Sequence, residues 1–182
     1  MCQPDGSLQP LLSLRHCDHV RGCAMAQVML IEYGDFQCPQ SGQLYWVFKK
    51  LTQQFDQNLC FVFRHLPQVE QHPRAQIAAE TAEAAHAQGK FWEMHDLLFE
   101  HQNALEDADL LEYAIALDLD VSQFLKQLAD HVHLDVVQNN IDSANASGIN
   151  RTPTTLFVLQ PNDTLSFSEI ILEVSKIINQ MQ

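Results

Sequence analysis

Three short apolar runs of strand type bracket a long stretch in which no strand pattern occurs, and this order restricts the fold more than any other feature. The first run is Gln27 to Tyr33 (Q-V-M-L-I-E-Y), stopped at Gly34, with Glu32 as its one charged residue. The second runs from Leu59 to Leu66 and ends at Pro67. Between them, Leu44, Val47, Phe48 and Leu51 fall on one face at helical spacing, which predicts a helix from Pro39 to about Phe55. Strand, helix, strand calls for a crossover and a parallel pair. Helices are then predicted over 73–88 (stopped at Gly89), 91–101, 109–117, 122–131 with Ser122 as N-cap, and 134–146. Strand character returns at Thr154–Leu159. A turn at 161–163, a short strand at 164–167 and a last amphipathic helix carrying Ile170, Ile171, Val174, Ile177 and Ile178 follow, with Ser166 and Glu169 at capping-box spacing. The class is α/β. Residues 1–22, polar and punctuated by Pro4, Gly6, Pro10 and Gly22, are expected to form an N-terminal arm. A core of 23–66 and 148–182 would then surround an all-helical insertion of 67–147.

Charge and cysteine usage exclude several function classes. With 10 Lys+Arg against 23 Asp+Glu the net charge is −13, which argues against a nucleic-acid binder and against adhesion to an anionic membrane. No apolar run approaches the roughly 18 residues of a membrane span. The five cysteines (Cys2, Cys17, Cys23, Cys38, Cys60) are odd in number and crowded into the first third, unlike a secreted disulfide framework. The first residues lack the basic and apolar regions of a signal peptide, so the expected compartment is the reducing cytoplasm. The pattern leaves oligomeric state open.

Cys38 is the residue with the clearest chemistry. It follows a buried strand and stands just before a helix that Pro39 starts, so its sulfur takes the place of an N-cap side chain. Unpaired N–H groups and the positive dipole end of the helix favour thiolate there. Glu32, six residues upstream, is either a buried carboxylate relaying a proton behind the sulfur or a strand residue facing solvent.

These residues resemble a known family. L-I-E-Y-G-D-F-Q-C-P-Q-S at 30–41 is similar to the active-site segment of DsbA-like thioredoxin-fold thiol-disulfide oxidoreductases, whose motif ends C-P-x-C. F-V-F-R-H-L-P at 61–67, H-P-R-A-Q-I-A-A-E at 72–80, G-K-F-W-E-M-H-D-L-L-F at 89–99 and S-G-I-N-R-T-P-T at 147–154 match in the same order. The resemblance implies a thioredoxin-like core interrupted by a helical insertion. It further implies that Cys38 is the nucleophile, that Glu32 is the buried acid, and that Thr152-Pro153 is a cis bond facing the sulfur. Thr152, Pro153 and Gln40 would contact a bound peptide by a form of strand addition. No bound cofactor is implied; protein thiols and disulfides, or glutathione as co-substrate, are the expected partners.

Ser41 departs from the family, standing where the second cysteine belongs. The second thiolate of a dithiol enzyme releases the mixed disulfide, and serine cannot. Three origins stay open: a natural monothiol enzyme leaning on an outside thiol, a replacement made to trap intermediates, or loss of disulfide transfer. In the first, Ser41 would hydrogen-bond the Cys38 sulfur. Alternatives of other classes are a glutathione-dependent transferase or isomerase of the same fold, and a non-catalytic peptide-binding module. His16, Cys17, Asp18, His19 and Cys23 have the residue types of a metal site, but their spacing is irregular and no metal is expected. His95, His101, His131 and His133 are expected at the surface, and His65 and His72 have no assigned role. Cys60 is expected as a buried small hydrophobe.

Overall fold

The computed structural model describes residues 12–26, 28–55, 58–159 and Leu172. The elements run β1 (His19–Gly22), β2 (Val28–Gly34), α1 (Pro39–Phe55), β3 (Leu59–His65), α2 (Ala75–His86), α3 (Phe91–Glu100), α4 (Asp107–Ala116), α5 (Val121–Ala129), α6 (Leu134–Ala146) and β4 (Thr154–Leu159). The strand and helix expected after Pro161 lie outside the described residues, apart from Leu172, which is helical.

The four strands form one sheet in the order β1-β3-β2-β4. β2 and β3 pair in parallel, with Leu30 opposite Phe61 and Glu32 opposite Phe63, joined by the α1 crossover. β4 runs antiparallel to β2, and β1 antiparallel to β3. Residues 19–22, expected as the end of an arm, are therefore an edge strand. Four residues without a clear apolar alternation gave no strand signal, and the β3 edge supplies the pairing.

Side chains alternate between the faces of the two central strands, both buried along their whole length. Val28, Leu30, Leu59, Phe61 and Phe63 share a core with Phe48 and Leu51 of α1 and Met94 and Phe99 of α3. Met29, Ile31, Tyr33, Cys60 and Val62 pack on the other face against Ala144, Ile149 and Leu156.

Alanine dominates α2, where Ala75, Ala78, Ala79, Ala82, Ala84 and Ala85 are all buried, so neighbouring elements approach closely. The same helix buries two carboxylates. Glu83 Oε1 takes His19 Nε2 at 2.7 Å and His65 Nε2 at 2.8 Å, and Glu80 takes His131 Nδ1 at 3.0 Å. His131 bonds Glu80 from φ +49, a left-handed conformation that costs a non-glycine residue energy.

Helix starts also differ in detail from the sequence pattern. α5 is capped by Asp120, whose carboxylate accepts Gln123 N–H at 2.9 Å, rather than by Ser122. Arg64 is wholly buried on β3 and donates to both Asp18 oxygens (2.8 and 2.7 Å), to the Tyr33 hydroxyl (3.0 Å) and to the Ser13 carbonyl (2.9 Å). That fork fastens residues 13–18 to the sheet.

Candidate active site

The turn carrying Cys38 is fixed by β2 on one side and α1 on the other. Cys38 N–H donates to the Asp35 carbonyl at 3.1 Å, and the Cys38 carbonyl accepts Gly42 N–H at 3.1 Å as the first helical bond. Pro39 opens the helix and is exposed, as is Gln40. The sulfur is buried, 3.2 Å from Gln40 Oε1 and 3.6 Å from the Thr152 carbonyl oxygen. The Thr152–Pro153 bond is cis. Cys38, Gln40 and Thr152 are thus brought together from two ends of the sequence.

Ser41 is placed differently from the expectation. Its hydroxyl is fully buried and accepts Asp35 N–H at 3.4 Å, with no bond to the sulfur shown. The amide of Gln40 takes the sulfur contact instead, because it lies exposed at the first turn and reaches back over it. Glu32 is on the α1 side of the sheet and buried, with Oε1 lacking any hydrogen-bond partner among the described residues. Burial alone pushes its carboxyl up to about 8, so it is mostly protonated at neutral pH. A Cβ added to Gly34 would lie 3.0 Å from that oxygen and 2.4 Å from the Phe63 ring.

Three residues that sequence reasoning passed over hold the turn. Asp35, buried beneath it, accepts Gln37 N–H at 2.8 Å and Gln68 N–H at 2.9 Å and pairs with His72 Nδ1 at 2.7 Å. Gln102, from the loop after α3, donates its amide to the Phe36 and Cys38 carbonyls, each at 2.8 Å. Asp35 two residues before Gln37 has the spacing of an Asx turn, a signal legible in the sequence. Nothing local marks Gln102 or His72, whose partners are dozens of residues away.

The other cysteines and histidines divide by environment. Cys60 is wholly buried, its thiol pushed up to about 11 by burial first and then by the nearby Cys23 and Asp18. Cys23 is free and half-buried, Cys17 is disulfide-bonded, and Cys2 lies outside the described residues. The irregular His/Cys group near the N-terminus does not assemble. Its Cys17 is in a disulfide, Asp18 holds Arg64, and His19 holds Glu83. His19, His65 and Glu83 do bring three ligand-type atoms within 4.8 Å of one another, already satisfied by their own hydrogen bonds. Burial pushes the Glu83 carboxyl up, and the two imidazoles more than reverse this, holding it well below the usual range. His95, expected at the surface, is buried among Phe36, Phe63 and Phe99, and desolvation pushes it down to about 4.

A parallel β-α-β core with an antiparallel fourth strand, a Cys-Pro helix start and a facing cis-proline define the thioredoxin fold, here with further helices between β3 and β4 as in DsbA-like proteins. The family model described as Thioredoxin matches residues 15–160, and the chain belongs to that family. Among solved structures, alpha-DsbA1 of Wolbachia pipientis is similar with a TM-score of 0.74 at 19% identity, covering 97% of this chain and 100% of that one. BdbD of Bacillus subtilis (oxidised) is similar with a TM-score of 0.71 at 21% identity, covering 89% and 93%. A segment of the Na(+)/H(+) antiporter NhaA 1 of Salinispora arenicola is 50% identical over 137 residues, 75% of this chain. The chain spans about a fifth of the length of such curated relatives, 21% in this case. Among the described residues no helix is long and apolar enough to cross a membrane.

Proposed function

We propose that this protein is a thiol-disulfide oxidoreductase that works through Cys38 alone, on protein disulfides or glutathione disulfide. The observation that carries the reading is the placement of the Cys38 sulfur. It stands at the start of α1, in contact with the Gln40 amide and the carbonyl beside the cis-proline. Cys38 thiolate attacks one sulfur of the substrate disulfide, the S–S bond breaks, and its electron pair leaves on the other sulfur. The product is a mixed disulfide on Cys38. The first turn of α1 offers unpaired N–H groups and a dipole that favour the thiolate. Gln40 serves thiol or thiolate, since its amide presents an acceptor or, turned over, a donor. Thr152 and Pro153 present backbone to the partner chain. Glu32 acts as a proton store behind the site, with a pKa close to operating pH. Ser41 holds the turn through Asp35 and leaves the adduct to an outside thiol.

The segment shared with proteins named as antiporters covers too little of them to bring transport to this chain. A disulfide at Cys17 favours an oxidising compartment over the cytoplasm that the cysteine count suggests. The test is intact mass after oxidised glutathione, with peptide mapping. One fast adduct on Cys38 is expected, while Cys60, buried and with a raised pKa, stays unmodified in the folded protein. Equal labelling of the two defeats the enzyme reading and leaves a peptide-binding module. The Ser41→Cys variant is expected to gain dithiol reduction of a protein disulfide.

A further inference from the structure

A one-thiol enzyme needs a place for the thiol that completes its cycle. Beside the Cys38 turn lies a cavity of about 540 Å³, lined by Gln37, Pro39, His72, Arg74, Gln102 and Asn103 among others. Gln37 and Pro39 are the two neighbours of Cys38 in the chain, so the cavity borders the reacting turn. Its size is within the range of small-molecule sites, and its polar, mixed-charge lining suits a polar peptide thiol better than an apolar one.

One lining residue has the arrangement of a base. Asp35, with a fully buried carboxylate, takes His72 Nδ1 at 2.7 Å, while the imidazole keeps 18% of its side chain exposed. A carboxylate on Nδ1 fixes the tautomer in which Nδ1 carries the proton and Nε2 the lone pair. No hydrogen bond occupies His72 Nε2 among the described residues. The charged groups around it are Asp35 beneath, Arg74 on the same segment, and Glu106 and Asp107 at the start of α4, both of which pair with Arg74. Asp35 also holds Gln37 and Gln68 backbone, so the base and the Cys38 turn share one anchor.

We propose that this cavity seats the resolving thiol, a small polar peptide thiol of the glutathione class, and that His72 is the catalytic base that takes its proton. The inference rests on the monothiol reading above. In the step, the incoming S–H proton passes to His72 Nε2. The resulting thiolate attacks the outer sulfur of the Cys38 mixed disulfide, forming a new S–S bond. The old S–S bond breaks with its electron pair on the Cys38 sulfur, and the imidazolium returns the proton to water. The incoming thiol is the reductant, and the released disulfide is the oxidised product.

The experiment starts from full-length protein carrying glutathione on Cys38 and follows release by reduced glutathione in a single turnover from pH 5.5 to 9. Wild-type release is expected to saturate with thiol concentration. The His72→Ala variant is expected to release roughly 100-fold more slowly near neutral pH, the lower end of general-base contributions. Its rate should then rise tenfold per pH unit as bulk thiolate forms, and added imidazole should restore it. Unchanged release, or slower release with the wild-type pH profile and no imidazole rescue, overturns the role of His72. If that variant does not fold, wild type alone decides. Release linear in thiol concentration, with glutathione no faster per thiolate than mercaptoethanol, overturns the cavity. Failure to form any Cys38 adduct defeats the monothiol reading itself, and this inference with it.

Discussion

At the scale of single residues, the site depends on groups that leave no side chain room to spare. A Cβ on Gly42 would fall 2.0 Å from Gln102 Oε1. The Gln102 side chain is able to swing away, but only by giving up its bonds to the Phe36 and Cys38 carbonyls. Gly42→Ala is therefore expected to cost about 1–3 kcal/mol, the scale of buried acceptors left unpaired, read by urea denaturation. It should also change the alkylation rate of Cys38.

Glu32 makes a separate prediction about alkali. Its carboxyl is near 8 in the folded protein and near 4.5 in the unfolded chain, so the native state holds the extra proton between those values. Stability from this group is complete below about pH 4.5 and is lost as pH rises through 8, by about 5 kcal/mol in all. Glu32→Gln is expected to flatten that decline, measured by denaturant melts at pH 5 and pH 8.5. An equal decline in both proteins would mean the carboxyl titrates normally.

At the scale of elements, helix starts and buried pairs decide how the helices dock. Asp120 caps α5 through Gln123 N–H, whereas Ser122 lies inside the first turn. Asp120→Ala should cost about 1 kcal/mol in a thermal or urea melt, and Ser122→Ala close to nothing. The sequence pattern pointed to Ser122, and only the path of the chain after Leu119 puts Asp120 at the cap instead. α2 shows the same limit. Its Ala spacing is legible as a helix of good propensity, but not the burial of Glu80 and Glu83. A carboxylate on a helix reads as solvated until a histidine from another element is seen against it, and His19, His65 and His131 come from three other segments.

For the molecule as a whole, pH acts from both sides. His95 sits among aromatic rings of β3, α1 and α3 and the Cys38 turn, with desolvation holding it near 4 against an ordinary 6.5. Between those values the unfolded chain binds the extra proton, so stability falls as pH drops through this window, by about 3 kcal/mol. Glu83, held low by its imidazoles, adds to the loss on the acid side, because a depressed carboxyl stabilises only while ionised. With Glu32 acting in the opposite direction, the stability–pH curve is expected to peak between roughly 5 and 7, and His95→Asn should flatten its acid limb. A curve still rising between about pH 6.5 and 8 would contradict these assignments.

Much of this was decided locally. Short continuous apolar runs placed the strands and apolar spacing of helical period placed the helices, because each is fixed by side chains only a few residues apart. The position of Cys38 was legible too, since a cysteine between a strand and a proline-led helix owes its place to adjacent residues. Tertiary structure decided what depends on distant partners. It turned residues 19–22 into an edge strand by offering them β3, and buried His65 and His95 inside an aromatic core. It turned Ser41 toward Asp35 and put the Gln40 amide on the sulfur. It also set His72 against Asp35 and the Gln102 amide on the Cys38 carbonyl. Such placements follow from long-range packing, where one hydrogen bond joins segments separated by dozens of residues, and no local periodicity carries that information.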